Sequence, residues 1–185
     1  MQKHLKLVSG SDLRGVAVDL GDGVTFDQET ARAAAYQFAC FLRDKLRKDA
    51  LKIAVGHDPR LSHEKLKQGV LEGLGAFGAK VMDCGLCTTP AMFMTTVEAE
   101  CDGAIMITAS HLPFERNGMK FITASGGLER EEVVEIARRM EDVEPAWPQV
   151  EEVDFLAAYS RGLVAFIRRE TGQERPLAGK RILVD

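Results

Sequence analysis

The sequence is 185 residues long, 45% hydrophobic and 28% charged, with a mean hydropathy of -0.10. That is the profile of a globular chain able to bury a core but too short for a large multidomain enzyme. A net charge of -4 and a pI near 5.6 leave no global basic field for phosphodiester backbones, so no nucleic acid partner is expected. No apolar run approaches the ~20 residues of a bilayer span, and the polar start Met1, Gln2, Lys3, His4 lacks a signal-peptide core. No membrane is expected as a partner, and the expected location is cytoplasmic.

Strands and helices alternate along the chain. Gly15 to Asp19 reads as a strand broken by Gly21, Asp22 and Gly23. Asp27 then caps a helix whose apolar stripe is Ala31, Ala34, Ala35, Phe38, Leu42 and Leu46. Leu51 to Gly56 predicts a strand, and the polar loop His57 to Leu61 leads to Ser62 as N-cap of a helix that turns Leu66, Val70, Leu71 and Leu74 inward and ends at Gly78. Ala79 to Asp83 and Gly103 to Thr108 predict further strands, separated by a helix beginning near Pro90, a residue favoured at the first helical position. This order predicts an α/β fold, a three-layer α/β/α domain with helices on both faces of a mostly parallel, mixed sheet. The C-terminal ends of its strands are where ligands are expected.

Met119 to Thr123 predicts a last strand of this unit, followed by a turn at Gly126 and Gly127 and an acidic helix from about Glu129 to Glu141. Pro145, Trp147 and Pro148 break the pattern. Val153 to Arg169 then predicts an amphipathic helix with Phe155, Leu156, Tyr159, Leu163, Phe166 and Ile167 at helical spacing. Beyond Thr171, Gly172 and Pro176, the run Arg181 to Asp185 reads as a strand just begun. The expected division is therefore 1–148 as a first domain and 149–185 as the truncated start of a second α/β domain. The uncovered helix 153–169 has three outcomes open to it, docking back on the first domain, disorder, or pairing with its copy in another chain; pairing into a homodimer is the favoured one, with exchange of the tail about the hinge at 145–148 as one route to it.

The cysteines at 40, 84, 87 and 101 lie in or beside apolar segments and read as reduced filler. Cys84 and Cys87 form C-x-x-C, but a zinc site needs four ligands and no second such pair or H-x-x-x-H is present.

Three polar clusters adjoin the apolar strands. Thr108, Ala109, Ser110, His111, Leu112, Pro113, followed by Asn117, Gly118 and Lys120, put a hydroxyl, an imidazole and an amine in one loop, where a nucleophilic oxygen can accept a phosphoryl group among cationic donors. Gly56, His57, Asp58, Pro59, Arg60 offers a guanidinium oriented by Asp58, with a fork that suits phosphate or carboxylate. Ser9 to Gly15 sets Arg14 beside small residues that let a backbone approach an anion. Each cluster taken alone also reads as a plain turn. Together they predict a local positive site of Arg14, Arg60, His111 and Lys120 around one serine.

This combination resembles the amino-terminal part of the α-D-phosphohexomutase superfamily, the phosphoglucomutases and phosphomannomutases. Thr108 to Pro113 with Asn117, Gly118 and Lys120 are similar to its T-A-S-H-x-P and N-G-x-K serine loop. Asp12 to Gly15 resembles its D-x-R-G motif, and Gly56, Asp58, Arg60 its G-x-D-x-R loop. Gly85 to Pro90 is similar to its glycine-to-Thr-Pro connection, and Pro176 to Asp185 to the lead-in of its second domain. Leu112 departs from the Asn of many members.

The resemblance implies a mutase that interconverts hexose 1-phosphate and hexose 6-phosphate through a phosphoserine and a bisphosphorylated sugar. Ser110 would carry the phosphoryl group, Lys120 would be the acid/base, and Arg14 and His111 would be donors. Arg60, Asp58, Thr108 and Asn117 would support the phosphate and the site. It also implies Mg²⁺ as cofactor, a glucose or mannose bisphosphate as activator, and a phosphosugar as substrate. The D-G-D-x-D-R, G-E-x-S-G and R-x-S-G-T loops of the family do not occur in these residues. Mg²⁺ would then find only the Ser110 phosphate as a ligand, and tight binding is not expected. The 185 residues alone are expected to be inactive.

Two other readings compete. A serine hydrolase would use Ser110 with His111 or His57, but there is no G-x-S-x-G elbow, and an adjacent His does not readily present its ring to the preceding Ser. A non-catalytic folded fragment or interaction module of mutase ancestry is the second.

Overall fold

The computed structural model describes residues 3–21 and 23–183. A 3-10 turn, His4–Leu7, leads into β1 (Val8–Ser9) and β2 (Asp12–Val16). There follow α1 (Gln28–Leu46), β3 (Lys52–His57), α2 (His63–Phe77), β4 (Lys80–Leu86), α3 (Thr89–Glu98), β5 (Gly103–Ile107) and β6 (Arg116–Thr123). The chain continues through β7 (Gly126–Gly127), α4 (Arg130–Arg139), β8 (Gln149–Glu152) and α5 (Phe155–Thr171). One sheet runs in the order β1-β2-β6-β5-β3-β4-β8, with β7 paired to β6. Strands β5, β3, β4 and β8 are mutually parallel, whereas β6 runs antiparallel to both β5 and β2.

Alternation along the parallel strands decides which helix covers which face. Ile53, Val55, Ile105 and Ile107 join Phe38, Leu42, Leu66 and Leu74 in a core under α1, α2 and α4. The intervening Ala54, Ala104 and Met106 join Met82 and Met92 in a second core under α3 and the start of α5. Three layers result, as the pattern implied. The α1 stripe is buried from Ala31 through Leu42, but Leu46, the last residue of the helix, is 45% exposed. The Asp27 carboxylate caps α1 by accepting from the Thr30 N–H at 2.8 Å, a contribution of about 1 kcal/mol.

Several boundaries differ from the sequence expectation for physical reasons. The second strand is Asp12–Val16 rather than Gly15 to Asp19, because its charged residues find partners within the sheet and so look loop-like only in sequence. Asp19 instead ties a turn, its carboxylate accepting from Gly21 N at 2.8 Å and Gly23 N at 3.0 Å; Asp22 lies outside the described residues. Strand β6 begins at Arg116, so Asn117 and Gly118 are ladder residues and not loop. Ser62 precedes α2 but makes no side-chain cap.

The sheet also extends beyond residue 148, since Gln149–Glu152 pairs in parallel with Lys80 to Asp83 at the edge. Asp154 caps the tail helix α5 by accepting from Ala157 N at 3.1 Å. Only Phe155 of this helix is buried, while Leu163, Val164, Phe166 and Ile167 are exposed. Residues 181–183 form no strand, and the remainder of the strand expected there, Val184 and Asp185, lies outside the described residues. No helix among the described residues is long and apolar enough to cross a membrane.

Candidate active site

Ser110 lies on the loop that leaves the C-terminal end of β5, an edge where α/β sheets present ligand sites. It is exposed and holds φ of 57°, in the left-handed region that residues with a side chain rarely adopt. Both sides of its backbone are tied. Its N–H donates to Thr108 Oγ1 at 2.9 Å, and its carbonyl accepts from Arg60 Nη2 at 2.6 Å. The hydroxyl itself stays open, with His111 Nδ1 at 3.5 Å as its one hydrogen-bond neighbour among the described residues.

Arg60 does not present its fork to an incoming anion. Nε bonds the Asp58 carboxylate at 3.0 Å. Nη1 bonds the carbonyls of Pro113 and Arg116 at 2.8 and 2.9 Å, and Nη2 bonds those of Ser110 and Leu112 at 2.6 and 2.8 Å. All five guanidinium N–H groups are therefore engaged by protein oxygens, which corrects the expectation of a free phosphate-binding fork. Asp58 also accepts the Thr108 hydroxyl at 2.7 Å.

A second group of charges lies on β2 and β6. The ladder sets Asp12 opposite Lys120 and Arg14 opposite Gly118, so the three side chains share one face. The buried Asp12 carboxylate accepts from Arg14 Nη2 at 2.7 Å and from Lys120 Nζ at 2.6 Å. Gly118 is required here, because a Cβ would stand 2.1 Å from the Leu13 carbonyl oxygen and block the pairing. The serine loop starts beside this group, as Thr108 N donates to the Gly118 carbonyl at 3.0 Å. Asp12 and Lys120 also line a cleft of about 390 Å³ together with Thr89, Pro90 and Phe93 of α3.

Asn117 is not part of the open site. It is fully buried, its amide donating to Ser62 Oγ at 2.9 Å and its carbonyl oxygen accepting from Gly118 N at 2.8 Å, so it secures β6 to the start of α2. Asp12, read from the sequence only as part of the D-x-R-G motif, is the carboxylate that joins Arg14 and Lys120. Its signal was alternation with Arg14, which in a strand puts both on one face. His57 stacks on His63 with ring centroids 4.1 Å apart. Burial, opposed by the bond to the Asp58 carbonyl, lowers the His57 pKa.

The cysteines do not build a reactive centre. Burial pushes Cys84 up to about 12 and Cys101 up to about 11, which removes thiolate character. Among the described residues no three His, Cys, Asp or Glu side chains are grouped to hold a metal. Around Ser110, Asp12 and Asp58 are each already paired with cations. The residues present therefore do not fit Mg²⁺, for which only oxygens of a phosphate on Ser110 would remain.

The model of the phosphoglucomutase/phosphomannomutase family, α/β/α domain I, matches residues 6–146. A phosphoglucosamine mutase of Aliarcobacter butzleri is 37% identical over 66% of this chain and 26% of its own length. A phosphoglucomutase/phosphomannomutase of Thermococcus kodakarensis is 36% identical over 80% of this chain and 32% of its own. A solved structure of a phosphoglucomutase/phosphomannomutase family protein from Burkholderia thailandensis is 25% identical, with a TM-score of 0.67, covering 89% of this chain and 36% of that one. The chain thus spans well under half the length of these relatives.

Proposed function

Because the chain belongs to the phosphoglucomutase/phosphomannomutase family through its α/β/α domain I, we propose that it is the phosphoserine-bearing part of a hexose phosphate mutase. Ser110 carries the phosphoryl group and passes it to a hexose monophosphate. It recovers the other phosphate from the bisphosphorylated sugar after that intermediate turns round. In each transfer the serine oxygen and a sugar oxygen exchange one phosphoryl group, and a proton moves on or off the sugar hydroxyl. Lys120 is the group that handles that proton, while Arg14 and His111 stabilise the charge on the transferring oxygens.

The observation that carries this reading is the open Ser110 hydroxyl, held in a left-handed backbone beside His111, on a loop anchored next to the Arg14, Asp12, Lys120 group. A glucose or mannose bisphosphate would charge the serine, and the compartment is cytoplasmic. We place the boundary to a further domain after β8, which pairs into this sheet, rather than at residue 148, with α5 beyond it. A hydrolase triad finds less support, since no carboxylate is bonded to His111 among the described residues.

Steady-state turnover of hexose 1-phosphate tests the proposal in the whole protein. Ser110→Ala is expected to remove it, and Lys120→Ala to lower it by about 10² to 10⁴ while Ser110 can still be phosphorylated. The 185 residues alone are expected to give negligible turnover, because they hold no G-E-x-S-G loop to position the sugar. Wild-type rates in Ser110→Ala, or robust turnover by the 185 residues, would defeat the reading.

A further inference from the structure

We infer that Arg60 is a positioning residue that sets the reactive conformation of Ser110 from behind the loop, an inference resting on Ser110 as the phosphoryl carrier. Residues 108–115 contain no helix or strand, so the loop cannot order itself through a regular ladder. Its carbonyls at Ser110, Leu112 and Pro113, with that of Arg116 at the start of β6, converge on one guanidinium. That side chain is only 11% exposed. Four acceptors spread over seven residues fix the loop's curvature as no single backbone bond does.

The fifth donor completes a closed circuit. Arg60 Nε bonds Asp58 Oδ2, the same oxygen accepts the Thr108 hydroxyl, and Thr108 Oγ1 accepts the Ser110 N–H. The circuit returns through the Ser110 carbonyl to Arg60. The peptide groups before and after Ser110 Cα are thereby both held, and the positive φ is imposed on a residue that would otherwise relax out of it. The consequence is chemical: with the backbone fixed, Oγ is aimed outward beside His111, where an in-line phosphoryl donor or acceptor can meet it. Lysine cannot substitute, since one ammonium offers three donors from a single point while the planar fork offers five in fixed directions.

Two measurements on Arg60→Ala and Arg60→Lys test this. In the 185-residue chain, amide hydrogen exchange at residues 109–116 is expected to accelerate at least about tenfold in both variants, with α1 and α2 unchanged. Millimolar guanidinium ion should restore protection in Arg60→Ala, whose vacated site it fits, and not in Arg60→Lys. In the whole protein kcat should fall by about 10², with KM for the hexose phosphate near its wild-type value and with the same selective rescue.

Unaltered exchange and turnover in Arg60→Ala would overturn the inference, as would a loss spread over α1 and α2 that guanidinium does not repair. Phosphoryl transfer that survives Ser110→Ala would remove the carrier reading instead. The exchange arm would still decide whether Arg60 orders the loop.

Discussion

Asp12 shows how one buried carboxylate can organise two cations. Arg14 and Lys120 carry like charges on neighbouring strands, and the shared Oδ2 lets them stand together in a partly buried site. Asp12→Asn leaves both cations without their counter-charge, and about 2–4 kcal/mol of stability should be lost, read from the urea midpoint. A variant within about 0.5 kcal/mol of wild type would mean that solvent screens the pair. Glu72 offers a pH test at the same scale. Burial raises its carboxyl, but bonds from Gln28, Gln68 and Arg32 outweigh that and hold the pKa below the ordinary 4.5. As pH falls the unfolded chain therefore takes up the proton first, so this contribution is complete above about pH 4.5 and is lost as pH drops through the folded value. Glu72→Gln should flatten the acid limb of stability against pH, and an unchanged limb would count against the assignment.

At the scale of elements, α1 and α2 approach closely because small residues line their contact. A Cβ at Gly73 would lie 2.2 Å from the Arg32 carbonyl oxygen. Gly73→Ala should therefore cost about 1–3 kcal/mol by forcing the helices apart. Gly162 in the middle of α5 has nothing within 4 Å of a Cβ, and there alanine should gain about 0.5–1 kcal/mol. Thermal melting of the two variants should move in opposite directions, and a shared direction would contradict the packing described.

The amphipathic elements were the legible ones. Helices α1, α2 and α5 and strands β3, β4 and β5 follow from apolar period and capping residues such as Asp27 and Gly78. Strand β2 was harder to read, because Asp12 and Arg14 are polar residues that pair with each other, and the second partner of Asp12, Lys120, comes from β6, more than a hundred positions away. Strand β8 lacks an apolar run, being Gln149, Val150, Glu151 and Glu152 at a half-exposed edge. The serine loop was legible by composition, but Arg60's role was not, since its partners are backbone carbonyls that carry no side-chain signature.

For the whole molecule, the serine loop, the Asp12 group and the α3 cleft adjoin one another, while Leu163, Val164, Phe166 and Ile167 of α5 remain exposed. The measurement that bears most directly on the account is the site and fate of a phosphoryl group. The whole protein is incubated with a hexose 1,6-bisphosphate, its intact mass is taken, the modified residue is mapped, and a hexose monophosphate is then added. The account predicts a single phosphoryl group on Ser110, discharged to the added sugar and absent in Ser110→Ala. A phosphoryl group on another residue that supports the same discharge, or mutase turnover with Ser110 never phosphorylated, would contradict it.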